Sequence, residues 1–279
     1  MSSTIAIINW NSGDLLRVCI ESIVATTTGA KILVIDNASR DSSLDCTAEF
    51  RDRANFIRLS ENRGFAGGVN QAFRWTSTPY VLILNPDIQV LPGAIQLLEE
   101  FMEQHPRAGA AGGYVGEKYL PRPFPTTRSL ILENLGVQRL TVAAPGSGPA
   151  RVDQVAAAAL MIRRQAYEEA GGFDEHFHPA WYEDVDDCHR LTRCGWQVYF
   201  VPAAEFIHTG GYSTEALGNG DFLRAYYRNQ IFYARKHLGP IDAALVRASA
   251  AVGALGRMIG RPHQAGAYAK AFIGVLKEW

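Results

Sequence analysis

Cysteine is scarce in this 279-residue chain, and the four that occur, at 19, 46, 188 and 194, form no CxxC pair and no framework spacing. That excludes a disulfide scaffold, and the thiols read as reduced and cytosolic. An excess of either charge is missing too. Lys and Arg number 27 against 28 Asp and Glu, for a formal net charge of -1, which argues against nucleic acid as a partner. No apolar run reaches the length of about 18 residues expected of a membrane span. The start of the chain runs straight into Ile5-Ala6-Ile7-Ile8 without the pattern of a signal peptide. Neither GxGxxG nor a Walker loop is present, and no serine or cysteine stands in an activated nucleophile pattern. The expectation is a soluble, cytoplasmic protein, at most lying on a membrane surface.

What is present is apolar and periodic. At 47% hydrophobic, the chain can bury one sizeable core, or one domain with a helical appendage. Short continuous apolar runs at residues 5–8, 32–35, 55–59 and 80–84 alternate with helical patterns at 15–24, around Leu44 and Phe50, from the stretch 62–70 on to Trp75, and at 92–104. This alternation predicts an α/β fold, a mostly parallel sheet with helices on both faces. Ligands of such sheets bind at the carboxyl ends of the strands. A strand is expected at 108–115, then an irregular Pro-rich stretch from 116 to 150 with a short helix at 129–140. Strands at 155–162, 196–201 and 205–207 follow. The chain from Phe222 onward is helical, with breaks at Gly239-Pro240 and Gly260-Arg261-Pro262.

Polar turns follow these strands. Asp36 closes the second, where a carboxylate can accept from a nucleobase N–H or a ribose hydroxyl, or can simply make an Asx-turn. The stretch Asn62-Arg63-Gly64-Phe65-Ala66-Gly67-Gly68-Val69-Asn70 is Gly-rich before a helix. Its backbone N–H groups can approach a phosphate or sugar, or serve only a tight turn. Arg63 beside it either pairs with a diphosphate or is solvated. Asn85-Pro86-Asp87 places a carboxylate where a divalent ion, Mg or Mn, would be held by hard oxygen ligands; an ordinary turn is the plain alternative. His208 follows a strand, where a neutral imidazole would complete such a coordination or pack as an ordinary histidine. Glu183-Asp184-Val185-Asp186-Asp187 packs four carboxylates into five positions behind the aromatic pair Trp181-Tyr182. That density of like charge is costly unless a cation, a proton or water offsets it. Asp184 begins a helical run, where a carboxylate gains from unpaired N–H groups and the dipole; a solvated acidic turn is the other reading.

Taken in order, these segments resemble the family 2 inverting glycosyltransferases of GT-A fold, and among them the bacterial rhamnosyltransferase branch. The resemblance covers about residues 4 to 240 and extends to Ile7-Ile8-Asn9-Trp10-Asn11-Ser12, Gly171-Gly172-Phe173-Asp174-Glu175 and His208-Thr209-Gly210-Gly211-Tyr212-Ser213. It implies a donor-binding half at 1–115, an acceptor-binding and catalytic half of the same domain at 116–221, and a helical, possibly membrane-associating extension at 222–279. It also implies a role for each matched position. Asp36 would bind the nucleobase, and Asn9, Asn11, Arg63, Gly68, Asn70 and Asn85 would line the donor site. Asp87 and His208 would hold the metal, with Asn85 replacing the first aspartate of the family's DXD. Asp184 would be the base, and Trp181, Glu183, Asp186, Arg224, Arg228 and Asn229 would shape the acceptor site. The expected donor is dTDP-L-rhamnose and the expected acceptor a polyprenyl-diphosphate-linked saccharide at the cytoplasmic membrane face. A UDP- or GDP-sugar donor, or a nucleotide-sugar binding module without catalysis, are the competing readings.

Overall fold

The computed structural model describes residues 3–137, 148–210 and 217–277. Strand β1 (Ser3–Asn9) is buried along its whole length and pairs in parallel with β2 (Ile32–Asp36) and with β4 (Tyr80–Leu84). Strand β3 (Ala54–Arg58) adds in parallel outside β2. Continuous apolar strands of this kind need cover on both faces. Helices α1 (Asp14–Thr26), α2 (Gly64–Arg74) and α3 (Ala94–Gln104) connect this half. The helical segment expected around Leu44 and Phe50 is a single 3-10 helix, Asp45–Phe50, with only Thr47 of its residues buried.

Past β4 the sheet becomes mixed. Strand β8 (Ala159–Arg163) lies antiparallel on β4, β6 (Ala108–Tyr114) antiparallel on β8, and β9 (Gln197–His208) parallel to β6. Strands β5 (Ile88–Val90) and β7 (Ala150–Val152) both pair antiparallel with β9. The order is β3-β2-β1-β4-β8-β6-β9-β5, with β7 also on β9. The strands expected at 196–201 and 205–207 are one. A register shift against β6 between Gly113 and Tyr114 absorbs Pro202-Ala203-Ala204. Gly113 permits this, since a Cβ there would lie 2.4 Å from the Ala204 carbonyl oxygen. The core under the sheet is built from Ile5, Ile7, Leu82 and Leu84 against Leu16, Ile20, Leu98 and Met102, all sealed from solvent.

Two compact units emerge from the packing. The first gathers residues 3–123, 148–175 and 183–210, and includes α5 (Arg164–Ala170) and α6 (Glu183–Arg193). The second gathers 124–137, 176–182 and 217–277, and holds α4 (Thr127–Asn134), α7 (Asn219–His237), α8 (Pro240–Gly260) and α9 (Ala265–Lys277). The helix expected at 129–140 is thus α4, which begins earlier and already ends at Asn134, with a turn at 135–137; residues 138–140 lie outside the described residues. It belongs with the C-terminal helices, not with the sheet, and the contact is close. The Asn134 amide donates to the Ser249 hydroxyl at 3.0 Å, and a Cβ on Gly253 would stand 2.1 Å from the Asn134 carbonyl oxygen. The breaks expected at Gly239-Pro240 and Pro262 are both present, with Pro240 opening α8 where its missing N–H costs nothing.

Candidate active site

Register brings Asn9 beside Asp36 at the carboxyl ends of β1 and β2. Asn9 is completely buried. Its amide donates to Asp36 Oδ1 at 2.8 Å and reaches the hydroxyls of Ser43 at 3.1 Å and Ser39 at 3.2 Å, while its own oxygen accepts from Ser12. The Ser39 N–H and the Arg58 guanidinium approach the other Asp36 oxygen at 3.2 and 3.6 Å. Asn9 therefore supports Asp36 from beneath. Asn11 stands at the half-buried rim with φ +49°, a conformation its short polar side chain tolerates, and its oxygen accepts from the Arg40 N–H at 2.7 Å.

The Gly-rich stretch opens α2 and lies against these strand ends. A Cβ on Gly68 would meet the Ile8 side chain at 2.5 Å and the Asn37 amide at 3.0 Å. Gly68, expected at the donor, here lets α2 approach β1. Asn70 differs from its expectation in the same way. Its amide donates to the Phe173 carbonyl at 2.9 Å and to Glu175 at 3.0 Å, and its oxygen accepts from the Tyr167 hydroxyl and the Phe173 N–H. Every hydrogen-bonding site on that amide is occupied, so Asn70 ties down the Gly171–Glu175 turn. Arg63 is one-third exposed and paired with Glu175 at 2.9 Å. Glu175 thus anchors both Arg63 and Asn70, a role that nothing in its own local sequence marks.

Asp87 and His208 come together because Ile88 pairs with His208 across β5 and β9. His208 Nε2 stands 3.2 Å from Asp87 Oδ1, both side chains are nearly buried, and the Gly210 N–H donates to Asp87 Oδ2 at 3.1 Å. The Tyr119 ring covers the imidazole at 4.5 Å between centroids. His208 Nδ1 is buried with no hydrogen-bond partner among the described residues. An aspartate oxygen and an imidazole at this separation fit a hard divalent cation that takes its other ligands from phosphate and water. Among the described residues no group of three or more His, Cys, Asp or Glu side chains could hold a metal ion, so protein ligands alone would not complete the shell.

Asp184 reaches the same end of the sheet. Its Oδ2 accepts from the Ala157 N–H at 3.3 Å, while the neighbouring Ala158 carbonyl accepts from the N–H of half-buried Asn85 at 3.0 Å. Asp184 and the Asn85-Pro86-Asp87 turn therefore grip adjacent residues just ahead of β8. The four carboxylates at the start of α6 then divide into two pairs. Asp186 and Asp187, both sealed from solvent, share the single positive charge of Arg190 at 2.7 and 3.3 Å. Asp186, expected at the acceptor, is thus held inside by a partner one helical turn on. Among the described residues Glu183 and Asp184 have no such cation bound to them. Burial first, then Asp184 and Asp186, raise the Glu183 carboxyl well above its ordinary range, and its Oε2 finds no hydrogen-bond partner among the described residues. Burial also raises Asp184, opposed by the N–H groups of Ala157 and Val185 and by the charge of Arg122. Arg122 belongs to the Pro-rich stretch, and only the tertiary structure shows that Asp184 feels its charge.

In the second unit, Trp181 and Tyr182 hold φ values of +78° and +74°. Such values are rare for aromatic residues and need support from outside. Asn229 supplies it, fully buried on α7, donating to the carbonyls of Ala180 at 2.8 Å and Trp181 at 3.0 Å. The Asn229 oxygen accepts from Arg228 at 3.2 Å, and the next residue, Gln230, donates to the Tyr182 hydroxyl at 3.1 Å. Asn229, expected on the acceptor, holds the backbone that leads into Glu183. Trp181 packs edge-on against Phe222, and Arg224 is exposed with its stem over Gly274.

N-acetylglucosaminyl-diphospho-decaprenol L-rhamnosyltransferase of Mycobacterium tuberculosis is 27% identical over 77% of this chain and 78% of its own length. Rhamnosyltransferase WbbL of Escherichia coli is 23% identical over 84% of this chain and 93% of its own. Among solved structures, the mannosyltransferase PcManGT from Pyrobaculum calidifontis, in complex with GDP-Man and Mn2+, superposes with a TM-score of 0.58 at 17% identity, covering 97% of this chain and 74% of that one. GalNAc-T7 with UDP, GalNAc and Mn2+ gives 0.60 at 15% identity over 84% of this chain, which spans half the length of that protein. These two likenesses establish the GT-A type of fold. The sequence profile of "Glycosyl transferase family 2" matches residues 4–169, more than half the chain and every strand end described above except that of β9, and the chain belongs to that family.

Proposed function

We propose that this enzyme transfers L-rhamnose, with inversion, from dTDP-L-rhamnose to a hydroxyl of a lipid-diphosphate-linked saccharide in cell-surface glycan synthesis. The observation that carries the reading is the position of Asp184, hydrogen-bonded to Ala157 one residue from the peptide that holds Asn85. This contact lies at the end of the sheet where Asp87 and His208 meet, which supports reading Asp184 as the base. The choice of sugar and acceptor rests on the two rhamnosyltransferases to which the chain is similar, one of them named for a diphospho-decaprenol acceptor.

The chain's own residues supply the steps. Asp184 takes the proton of the acceptor hydroxyl as that oxygen attacks the anomeric carbon, and the bond to the nucleoside diphosphate breaks on the opposite face. Lifting a carboxyl above its ordinary range makes it a stronger base at neutral pH, and burial does this to Asp184. Burial and the neighbouring acids raise the Glu183 carboxyl well above its ordinary range, which sets a second carboxyl of increased proton affinity beside Asp184. Asp36 and Asn11 receive the nucleoside at the ends of β1 and β2. Asp87 and His208 would hold Mg or Mn, which when bound offsets charge on the departing diphosphate. A single displacement needs no covalent nucleophile, and buried Cys19, raised by burial and by Asp87, offers none.

A thermal-shift screen of nucleoside diphosphates with Mn or Mg tests the donor. Thymidine selectivity supports rhamnose, and uridine or guanosine selectivity overturns it. Loss of the cation-dependent part of that shift in His208→Ala tests the metal ligands.

A further inference from the structure

Register sets three residues in one row at the ligand end of the sheet. Asn9 pairs with Asp36, and Asp36 with Arg58, so the row crosses β1, β2 and β3 with the carboxylate in the middle. Residues paired in this way project from the same face. Asn9 donates to Asp36 Oδ1 at 2.8 Å, and Arg58 Nε stands 3.6 Å from Oδ2. Arg58 ends β3, and no local pattern in the sequence marks it for the donor.

The guanidinium is held in place. Its Nη2 donates to the Ser39 carbonyl at 2.8 Å. That carbonyl belongs to a turn in which Ala38 has φ +58°, a value that a residue with a Cβ keeps only when its surroundings impose it. They do so here through the Asn37 N–H, which donates to the Asn9 carbonyl at 2.8 Å, and the Ser39 hydroxyl, which accepts from the Asn11 N–H at 2.8 Å. The turn thus presents one carbonyl to one guanidinium. The side chain of Asp36 is sealed from solvent and that of Arg58 is 64% exposed. A base that reaches Oδ2 does so by moving Arg58, the exposed member of the row, and thereby lies against it. The guanidinium has donors to spare, since among the described residues the Ser39 carbonyl is the one hydrogen-bond partner of the Arg58 side chain.

A separation of 3.6 Å is too long for a hydrogen bond between Nε and Oδ2. It leaves a donor and an acceptor side by side, suited to a ligand with the complementary pair. An imide has that pair, a ring N–H beside an exocyclic carbonyl, as in thymine and uracil. Guanine presents the same order. Cytosine and adenine reverse it, with the lone pair on the ring nitrogen and the N–H outside. Once ribose and diphosphate fix the base, the reversed order sets a lone pair against the carboxylate and an N–H against the guanidinium. Both protein groups are then left without a partner, which is the strongest ground on which a site rejects a ligand. We infer that Arg58 determines base specificity, reading with Asp36 the N–H and adjoining carbonyl of an imide-type nucleobase. The inference rests on the reading of this sheet end as a nucleotide-sugar site, and adds the residue that decides which bases enter.

Calorimetric titration of the full chain with dTDP, dGDP, dCDP and dADP, each with Mn, tests it. These ligands share deoxyribose and diphosphate, so the ratio of their affinities isolates the base. Wild type should bind dTDP about 100-fold tighter than dCDP, and Arg58→Ala should cut that ratio about tenfold, chiefly by weakening dTDP. Arg58→Lys keeps the charge, loses the Nε–H beside Asp36, and should cut the ratio as well. A side chain that serves only to attract diphosphate would, on removal, weaken every ligand alike and be replaced in full by lysine; that pattern overturns the inference. A lower melting temperature with the ratio unchanged makes Arg58 structural and overturns it too. A wild type that binds all the diphosphates without base preference overturns the inference and leaves sugar transfer standing, whereas one that binds none overturns both. Preference for dGDP over dADP that Arg58→Ala abolishes supports the inference while overturning dTDP-L-rhamnose as donor.

Discussion

Asp36 and Glu183 are both buried acids, one at the end of β2 and the other at the start of α6, and their surroundings are opposite. Around Asp36 stand the Asn9 amide, the Ser39 N–H and the Arg58 guanidinium. Around Glu183 stand two other acids, and one of its oxygens has no partner among the described residues. A carboxylate supplied with donors keeps its position and can orient whatever it meets. A carboxylate with fewer of them, as Glu183 is with a single backbone N–H, is raised above its ordinary range. Under the proposed function the two ends of the site divide the work, with binding on the β1–β2 side and proton transfer on the α6 side.

The strongest way to break that contrast is Asp184→Asn, expected to lower transfer by about 10²–10⁴-fold while the melting shift induced by nucleoside diphosphate persists. Equal loss of both would make Asp184 a structural acid. Asn9→Ala acts on the other region. It strands Asp36 and the hydroxyls of Ser39 and Ser43, and urea denaturation should show a loss of about 2–3 kcal/mol. Were that loss negligible, Asp36 would not depend on its support. Asn229→Ala frees the carbonyls of Ala180 and Trp181 at an expected ~1–2 kcal/mol, together with a fall in kcat at unchanged donor KM, which separates positioning from donor binding.

Glu183→Gln sharpens the contrast through pH. The folded chain keeps the Glu183 proton above the ordinary 4.5, at which the unfolded chain releases it. Folding is therefore unpenalised below that pH and is disfavoured progressively as pH rises from there toward the folded value. The glutamine variant should melt like wild type at pH 4 and above it at pH 8. A parallel pair of curves would show that Glu183 is not held protonated.

Much of this was legible before any coordinates. Apolar runs such as Ile5-Ala6-Ile7-Ile8 and Tyr80-Val81-Leu82-Ile83-Leu84 mark strands covered on both faces, and a polar turn after each marks the ligand side. The roles of Gly68, Asn70, Asp186 and Asn229 were not legible. Their partners are side chains or backbone groups, some of them far along the chain, and no local pattern says whether a polar residue points at a ligand or at its own protein. Arg247 and Arg257 are the same case, since only the packing of α8 reveals that they cap other helices.

By itself the sequence determined the α/β alternation, the family and the order of polar turns along the sheet, because these follow from short-range periodicity and from residue types at fixed spacing. Tertiary structure decided which of those polar groups support and which can react. That depends on contacts such as Arg63 with Glu175, 112 residues apart, and on how completely each buried charge is supplied with donors.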